Sequence, residues 1–572
     1  MNVMQLKRAL ALVSLAAITA CGGGGGGASA IVPNAGGGGA PGGGSPLLAR
    51  IVGVGDSLTA GYQANGMLGA TGVSDPLFPG VTVPPTQEQG YWADIDEQAS
   101  GLPLSQAIAR EFDPATSPLP LIAGPGINNQ VVPAIGAPFG QEKPGNSCSA
   151  DGGFDAAGYL LGASKRVRMN PTSTTIRDVA VPGITLHEAN TLAEPQSNTC
   201  KALPGIRGLL QQVVDGESST YWPVLRNFAN MGPQLTMVNA AVKLKPTLAV
   251  VWLGANDVLK YMGSGGLFHG GDNSAGQAAS DERQAINTLK HAGARVIVAN
   301  LPNILETAYF MRATVPTQAT CNNNYQTYVA CVFEAVLQVP LATAAGLTAT
   351  LAKTYQLATP GGCTPTTTNP CGYLTLQGTF TVINYYHKTG KLPDLDNGKP
   401  GSGMGTYYIT PAFAAKVQSL NDAINTGIDD AAQQTSTPLV DVTSIFAGVA
   451  SGNQSNPYFQ LAIHISPGTC CTLGFEGGLL SFDGIHPSNT GYALVAYAFI
   501  AAINAAYGTK IPQINVRAAY NGTRCGEVSH CYQDPYAPPC AQNPAGCNGG
   551  LRVHDVSMLR RRAEALGSAD LF

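Results

Sequence analysis

Four short runs, each apolar along nearly its whole length and each far from the next, set the strongest limit on how this chain can fold. They are Ile51-Val52-Gly53-Val54-Gly55, Leu248 to Leu253, Arg295 to Leu301 and Pro438 to Val442, with a weaker fifth from Thr175 to Val181. Strands that are apolar on both faces suit a parallel sheet covered by helices. Helical stretches lie between and after them, at Asp281 to His291, Pro411 to Gln433 and Tyr492 to Ala506. Strands alternating with helices predict an open α/β sheet. The last helical stretch is apolar over 15 residues. A bilayer span needs about 20, so this segment is expected to pack on the sheet.

The intervals between the runs are long. About 120 residues rich in Pro and Gly separate the first run from Thr175, and another long interval with four cysteines separates Leu301 from Pro438. With 70 glycines and 40 prolines in 572 residues, much of the chain is expected in loops and turns. These intervals read as insertions, about 63–170 and 305–435, on one α/β domain over 47–508. A cysteine-dense extension, 509–572, follows. Apolar residues make up 44%, enough for a sizeable core, and charged residues only 12%, about half the usual share. Net charge is −4 with no basic stripe, so nucleic acid is not an expected partner.

The N-terminus reads as an export signal over residues 1–21. Lys7 and Arg8 precede the apolar run Ala9 to Ala20, and Ile18-Thr19-Ala20-Cys21 resembles a bacterial lipoprotein cleavage box. On that reading Cys21 is the lipid anchor, and the competing reading is an ordinary signal peptide with Cys21 incidental. Gly22 after the cysteine points to an outer membrane, in a cell that has one, facing the periplasm or exterior. Residues 22–46, nearly all Gly, Ala, Pro and Ser, form a flexible tether. Loss of Lys7 and Arg8 with the leader takes the net charge to −6. Setting Cys21 aside leaves 12 cysteines, several close together, such as Cys321 with Cys331 and Cys363 with Cys371. An even number suits complete pairing in an oxidising compartment. A structural zinc site is the weaker alternative, because no Cys-x-x-Cys pair appears. The sequon at Asn521 would carry no glycan in a bacterial lipoprotein.

Chemistry gathers at the ends of the apolar runs. Gly55-Asp56-Ser57-Leu58 follows the first run directly, and the carboxyl end of a strand is where α/β sheets place ligands. A helix starting there would aim N–H groups at a developing negative charge, although a capping serine looks the same. A serine hydroxyl needs a base. Asp483-Gly484-Ile485-His486-Pro487 offers one, with a carboxylate close enough in sequence to orient the imidazole. Gly254-Ala255-Asn256-Asp257 closes the second run and brings a side-chain amide to the same edge, able to donate to an oxyanion. Val181-Pro182-Gly183 ends the weaker run and offers a backbone N–H. His187 and His269 are candidates for a pocket wall or for plain surface positions, and Tyr62, Tyr91 and Trp92 for an apolar wall or for core.

In this order the four blocks resemble the SGNH (GDSL) hydrolase family. The resemblance implies a flavodoxin-like three-layer α/β/α sandwich and no metal or organic cofactor. It implies Ser57 as nucleophile, His486 as base and Asp483 as its carboxylate, with an oxyanion hole from Ser57, Gly183 and Asn256. Gly183 departs most from the family pattern, because Arg177-Asp178 stand where the family usually has Asn. Asp56 and Asp257 are assigned to loop scaffolding. The implied activity is serine-dependent hydrolysis of carboxylic esters, lipid, short-chain or acylated sugar. Two alternatives stand beside it: a carbohydrate esterase or acyltransferase on the same residues, and a catalytically silent binding lipoprotein.

Overall fold

The computed structural model describes mainly residues 45–63, 85–121, 173–192, 235–307 without position 269, 329–357, 371–395, 407–450 and 484–521, with short pieces between them. Cys21, Asp483 and His269 lie outside the described residues.

Four parallel strands form the sheet: β1 (Ile51–Gly55), β2 (Leu248–Trp252), β3 (Arg295–Ala299) and β4 (Leu439–Val440), side by side in that order. All of β1 and β2 is buried, as continuous apolar runs predict. The weaker run from Thr175 pairs with the free edge of β1. Gly53 N donates to Arg177 O at 3.0 Å, and Val179 and Val181 donate to Gly53 O and Gly55 O at 3.0 and 2.9 Å. It makes a single parallel bridge, Gly53 with Asp178, and no full strand. Counting it, the second segment in sequence lies outside the first, and the rest follow on the other side. That is the flavodoxin-like order, whose switch point lies at the carboxyl end of β1.

Helices cover both faces. α1 (Tyr91–Ala99) and α6 (Asn489–Tyr507) pack together on one. On the other, α4 (Ala275–His291) and α5 (Pro411–Thr435) form the most extensive helix pair. The short α2 (Leu186–Thr191) packs against α4, and α3 (Ala255–Gly263) against α5. Trp252 of β2 meets Tyr91 edge-on, with ring centroids 5.3 Å apart, and Tyr91 stacks on Phe499 of α6 at 4.9 Å. Tyr91 and Trp92 are fully buried; they belong to the core and not to a pocket wall. α1 thus forms part of a layer, although it falls within the stretch 63–170 expected as insertion.

α6 is long and apolar enough to cross a membrane, yet most of it is buried inside the fold. Cys331 and Cys371 are buried and disulfide-bonded; every other cysteine lies outside the described residues. The start of the C-terminal extension docks onto α1. Arg524 pairs with Asp94 and, at 2.6 Å, with Glu97, all three side chains at most 4% exposed.

Candidate active site

β1 ends at Gly55, and the chain turns at once. Asp56 Oδ1 accepts from Leu58 N at 3.0 Å, Ala60 N donates to Asp56 O at 3.1 Å and Tyr62 N to Ser57 O at 3.0 Å. A helix was expected to open here; the structure has hydrogen-bonded turns instead. The Asp56 side chain holds a backbone N–H that a regular helix start would leave open.

His486 arrives from the far end of the chain. Its Nε2 lies 2.9 Å from Ser57 Oγ, and both residues are 3% exposed. A small backbone frame fixes the histidine. Ser481 N donates to His486 O at 2.6 Å, Ser488 N to Leu479 O at 2.9 Å, and Tyr309 N to Gly484 O at 2.8 Å. Pro487 ends this frame, and Ser488 caps α6 by accepting from Gly491 N at 3.1 Å. α6 in turn grips the Ser57 turn: Tyr492 OH donates to Tyr62 O at 2.7 Å and Gln63 Nε2 to Asn489 Oδ1 at 3.0 Å. The Tyr62 ring lies against the imidazole, with centroids 4.6 Å apart.

Asn256 stands in the first turn of α3, fully buried. Its Nδ2 donates to Asp56 Oδ2 at 3.1 Å and to Ile184 O at 3.0 Å. One amide thus joins the Ser57 turn to the Gly183 loop. Gly183 has φ +84, a conformation that favours glycine, and no atom of the described residues lies within 4 Å of where a Cβ would stand. Arg177, at the departure from the family pattern, has a structural partner. It binds Asp96 of α1 through two nitrogens at 2.6 and 2.8 Å, so the edge segment is tied to α1 by an ion pair. Asp178 accepts from Ala180 N at 2.9 Å.

Two carboxyls frame the site. Burial pushes Asp56 up to about 7, against the Leu58 N–H, the charge of His486 and the Asn256 amide, which favour the carboxylate. Burial likewise pushes Asp257 up to about 7, against N–H groups of Leu186 and Asp272. Those donors lie 2.9 and 2.7 Å from its oxygens, so Asp257 clamps α2 and the 271–272 loop to the start of α3. Both residues act as loop scaffolds, as the sequence suggested. His187 was a pocket candidate, but the structure pairs it with Asp281, with Nδ1 and Oδ2 at 2.8 Å and its side chain 47% exposed. The Gln63–Asn489 and Tyr62–Tyr492 contacts span more than 400 residues and left no local signal to read.

A family model described as GDSL-like Lipase/Acylhydrolase matches residues 51–499, most of the chain. Neither a search of characterised proteins nor one of solved structures returned a match.

Proposed function

Since the chain belongs to the GDSL-like lipase/acylhydrolase family, whose members hydrolyse esters, we propose that it is a carboxylic ester hydrolase with Ser57 as its nucleophile. The observation that carries this reading is the 2.9 Å approach of His486 Nε2 to Ser57 Oγ in a buried setting. His486 takes the hydroxyl proton as Ser57 Oγ bonds to the ester carbonyl carbon. The tetrahedral oxyanion accepts from the N–H groups of Ser57 and Gly183 and from the Asn256 amide. His486 then gives its proton to the departing alcohol. Water repeats the sequence and releases the acid. Asp483, three residues before His486, holds the imidazole in the tautomer that accepts at Nε2.

The open space beside Gly183 suits an acyl or alcohol group. Cys21 serves as lipid anchor, residues 22–46 as tether, and disulfides brace the loops of an exported protein. Sequence layout supports these assignments.

The test is hydrolysis of p-nitrophenyl esters of increasing acyl length by the mature chain. Ser57→Ala and His486→Ala should each lower kcat by at least about a thousandfold with folding intact by circular dichroism. Activity surviving Ser57→Ala would sink the assignment.

A further inference from the structure

Asp257 holds more than the oxyanion loops. Through the Asp272 N–H it also fixes a second group of side chains, to which no role has been given. His187 of α2, Asp272 of the 271–272 loop and Asp281 of α4 each direct one ligand-type atom to a common point, all within 4.8 Å of one another. They are the sole such group among the described residues. We propose that His187, Asp272 and Asp281 bind a divalent transition cation of the zinc class.

The geometry is built from three separately fixed elements. α2 is held by a capping box, with Thr185 accepting from Glu188 N and Glu188 reaching back to Thr185 N. Asn190 Nδ2 donates to Asp281 O at 3.0 Å and ties α2 to α4 beside the site. The loop comes in tightly at Gly271, where a Cβ would lie 2.6 Å from Asp257 Oδ1. None of these contacts uses the Asp272 carboxylate. That side chain is 4% exposed, its buried Oδ2 meets no N–H donor, and its carboxyl lies against that of Asp281, acid against acid. A buried carboxylate oxygen without a donor is costly, and a cation is what such an oxygen lacks.

Charge and donor type identify the cation. Two carboxylates and a neutral imidazole balance a charge of +2. Calcium and magnesium favour all-oxygen shells, whereas one nitrogen with two carboxylate oxygens suits zinc and its neighbours. Donors around tetrahedral zinc stand about 3.3 Å apart. The 2.8 Å from His187 Nδ1 to Asp281 Oδ2 opens slightly, and the wider separations, up to 4.8 Å, close to reach that. The exposed His187 provides the path of entry, and water takes the fourth position. The cation is structural: it pins α4 to α2 and the 271–272 loop, the two pieces that Asp257 clamps to the start of α3. The competing occupant is a proton shared by Asp272 and Asp281.

The test uses the full mature chain in detergent, disulfides oxidised, stripped with EDTA and then freed of chelator. Zinc chloride is titrated in by calorimetry, and cobalt(II) by its visible absorption. The expected result is one equivalent bound, a tetrahedral cobalt spectrum, and affinity lowered at least about a hundredfold by Asp281→Asn and by His187→Ala. Zinc should raise the melting temperature of the wild type and not of either variant. His187→Ala removes a half-exposed ring, so it keeps the test open if Asp281→Asn misfolds. Absence of stoichiometric binding overturns the proposal, as does full affinity in both variants. So does an Asp272→Asn variant that stabilises the stripped protein while zinc leaves the wild type unmoved, since the shared proton then accounts for the cluster.

Discussion

At the residue scale, the amide of Asn256 stands between two demands. It bridges Asp56 and Ile184 in the resting site, and an oxyanion would compete for the same hydrogens. Asn256→Ala is therefore expected to lower kcat about 10²- to 10³-fold and to lower the melting temperature as well, since two loops lose their link. Steady-state kinetics beside a thermal scan check both effects; a normal kcat would remove Asn256 from the reaction. Gly183→Ala meets no neighbour among the described residues, so its effect on stability is the strain of positive φ alone, roughly 1–2 kcal/mol, read as a modest shift in urea midpoint. Asp56 gives a pH prediction. Burial holds its pKa in the folded protein at about 7, well above the ordinary aspartate value of about 3.9. The fold thus favours the neutral acid, and the stability so gained is full below about pH 4 and lost as pH rises through about 7. The melting temperature of Asp56→Asn relative to wild type should therefore climb between pH 5 and pH 8. A difference that stays flat across that range would show Asp56 ionised throughout. The meeting of Ser57 and His486 was legible because each stands in a short local motif. The double role of the Asn256 amide was not, because Ile184 O lies in a loop 72 residues away.

At the scale of elements, periodicity located the sheet well and cap chemistry corrected its helices. The run Arg295 to Leu301 is a strand only to Ala299. The helix expected from Asp281 begins at Ala275, because Ser274 accepts from Gln277 N at 3.3 Å and starts it earlier. Pro438 to Val442 yields a strand of two residues, and Val442 already opens the next helix. α1 was the element least legible. Its sequence Tyr91-Trp92-Ala93-Asp94-Ile95-Asp96-Glu97 carries three acids, which argue for a surface. Arg110 neutralises them from nearby, and Arg177 and Arg524 from distant parts of the chain, and only the fold reveals that. Removing one partner from a buried ion cluster costs about 3–5 kcal/mol because the remaining charges stay buried. Arg524→Ala should lower unfolding stability by that order in urea titrations. A loss under about 1 kcal/mol would mean the extension is not anchored there.

At the scale of the whole molecule, Cys21→Ser should move the protein from the membrane fraction to the soluble exported fraction while ester hydrolysis continues. Protein that stays membrane-bound in the variant would place the anchor elsewhere. The sheet order puts Ser57, Gly183 and Asn256 at one edge because β1, the Arg177–Val181 segment and β2 are neighbours whose carboxyl ends coincide. The distance in sequence from Ser57 to His486 is 429 residues, and its meaning is temporal. Synthesis runs at about 5–20 residues per second, so Ser57 is made roughly 20 to 90 s before His486. Fragments that stop before His486 lack that side chain altogether. The buried Ser57–His486 contact therefore cannot form until nearly the whole matched region, 51–499, has been made.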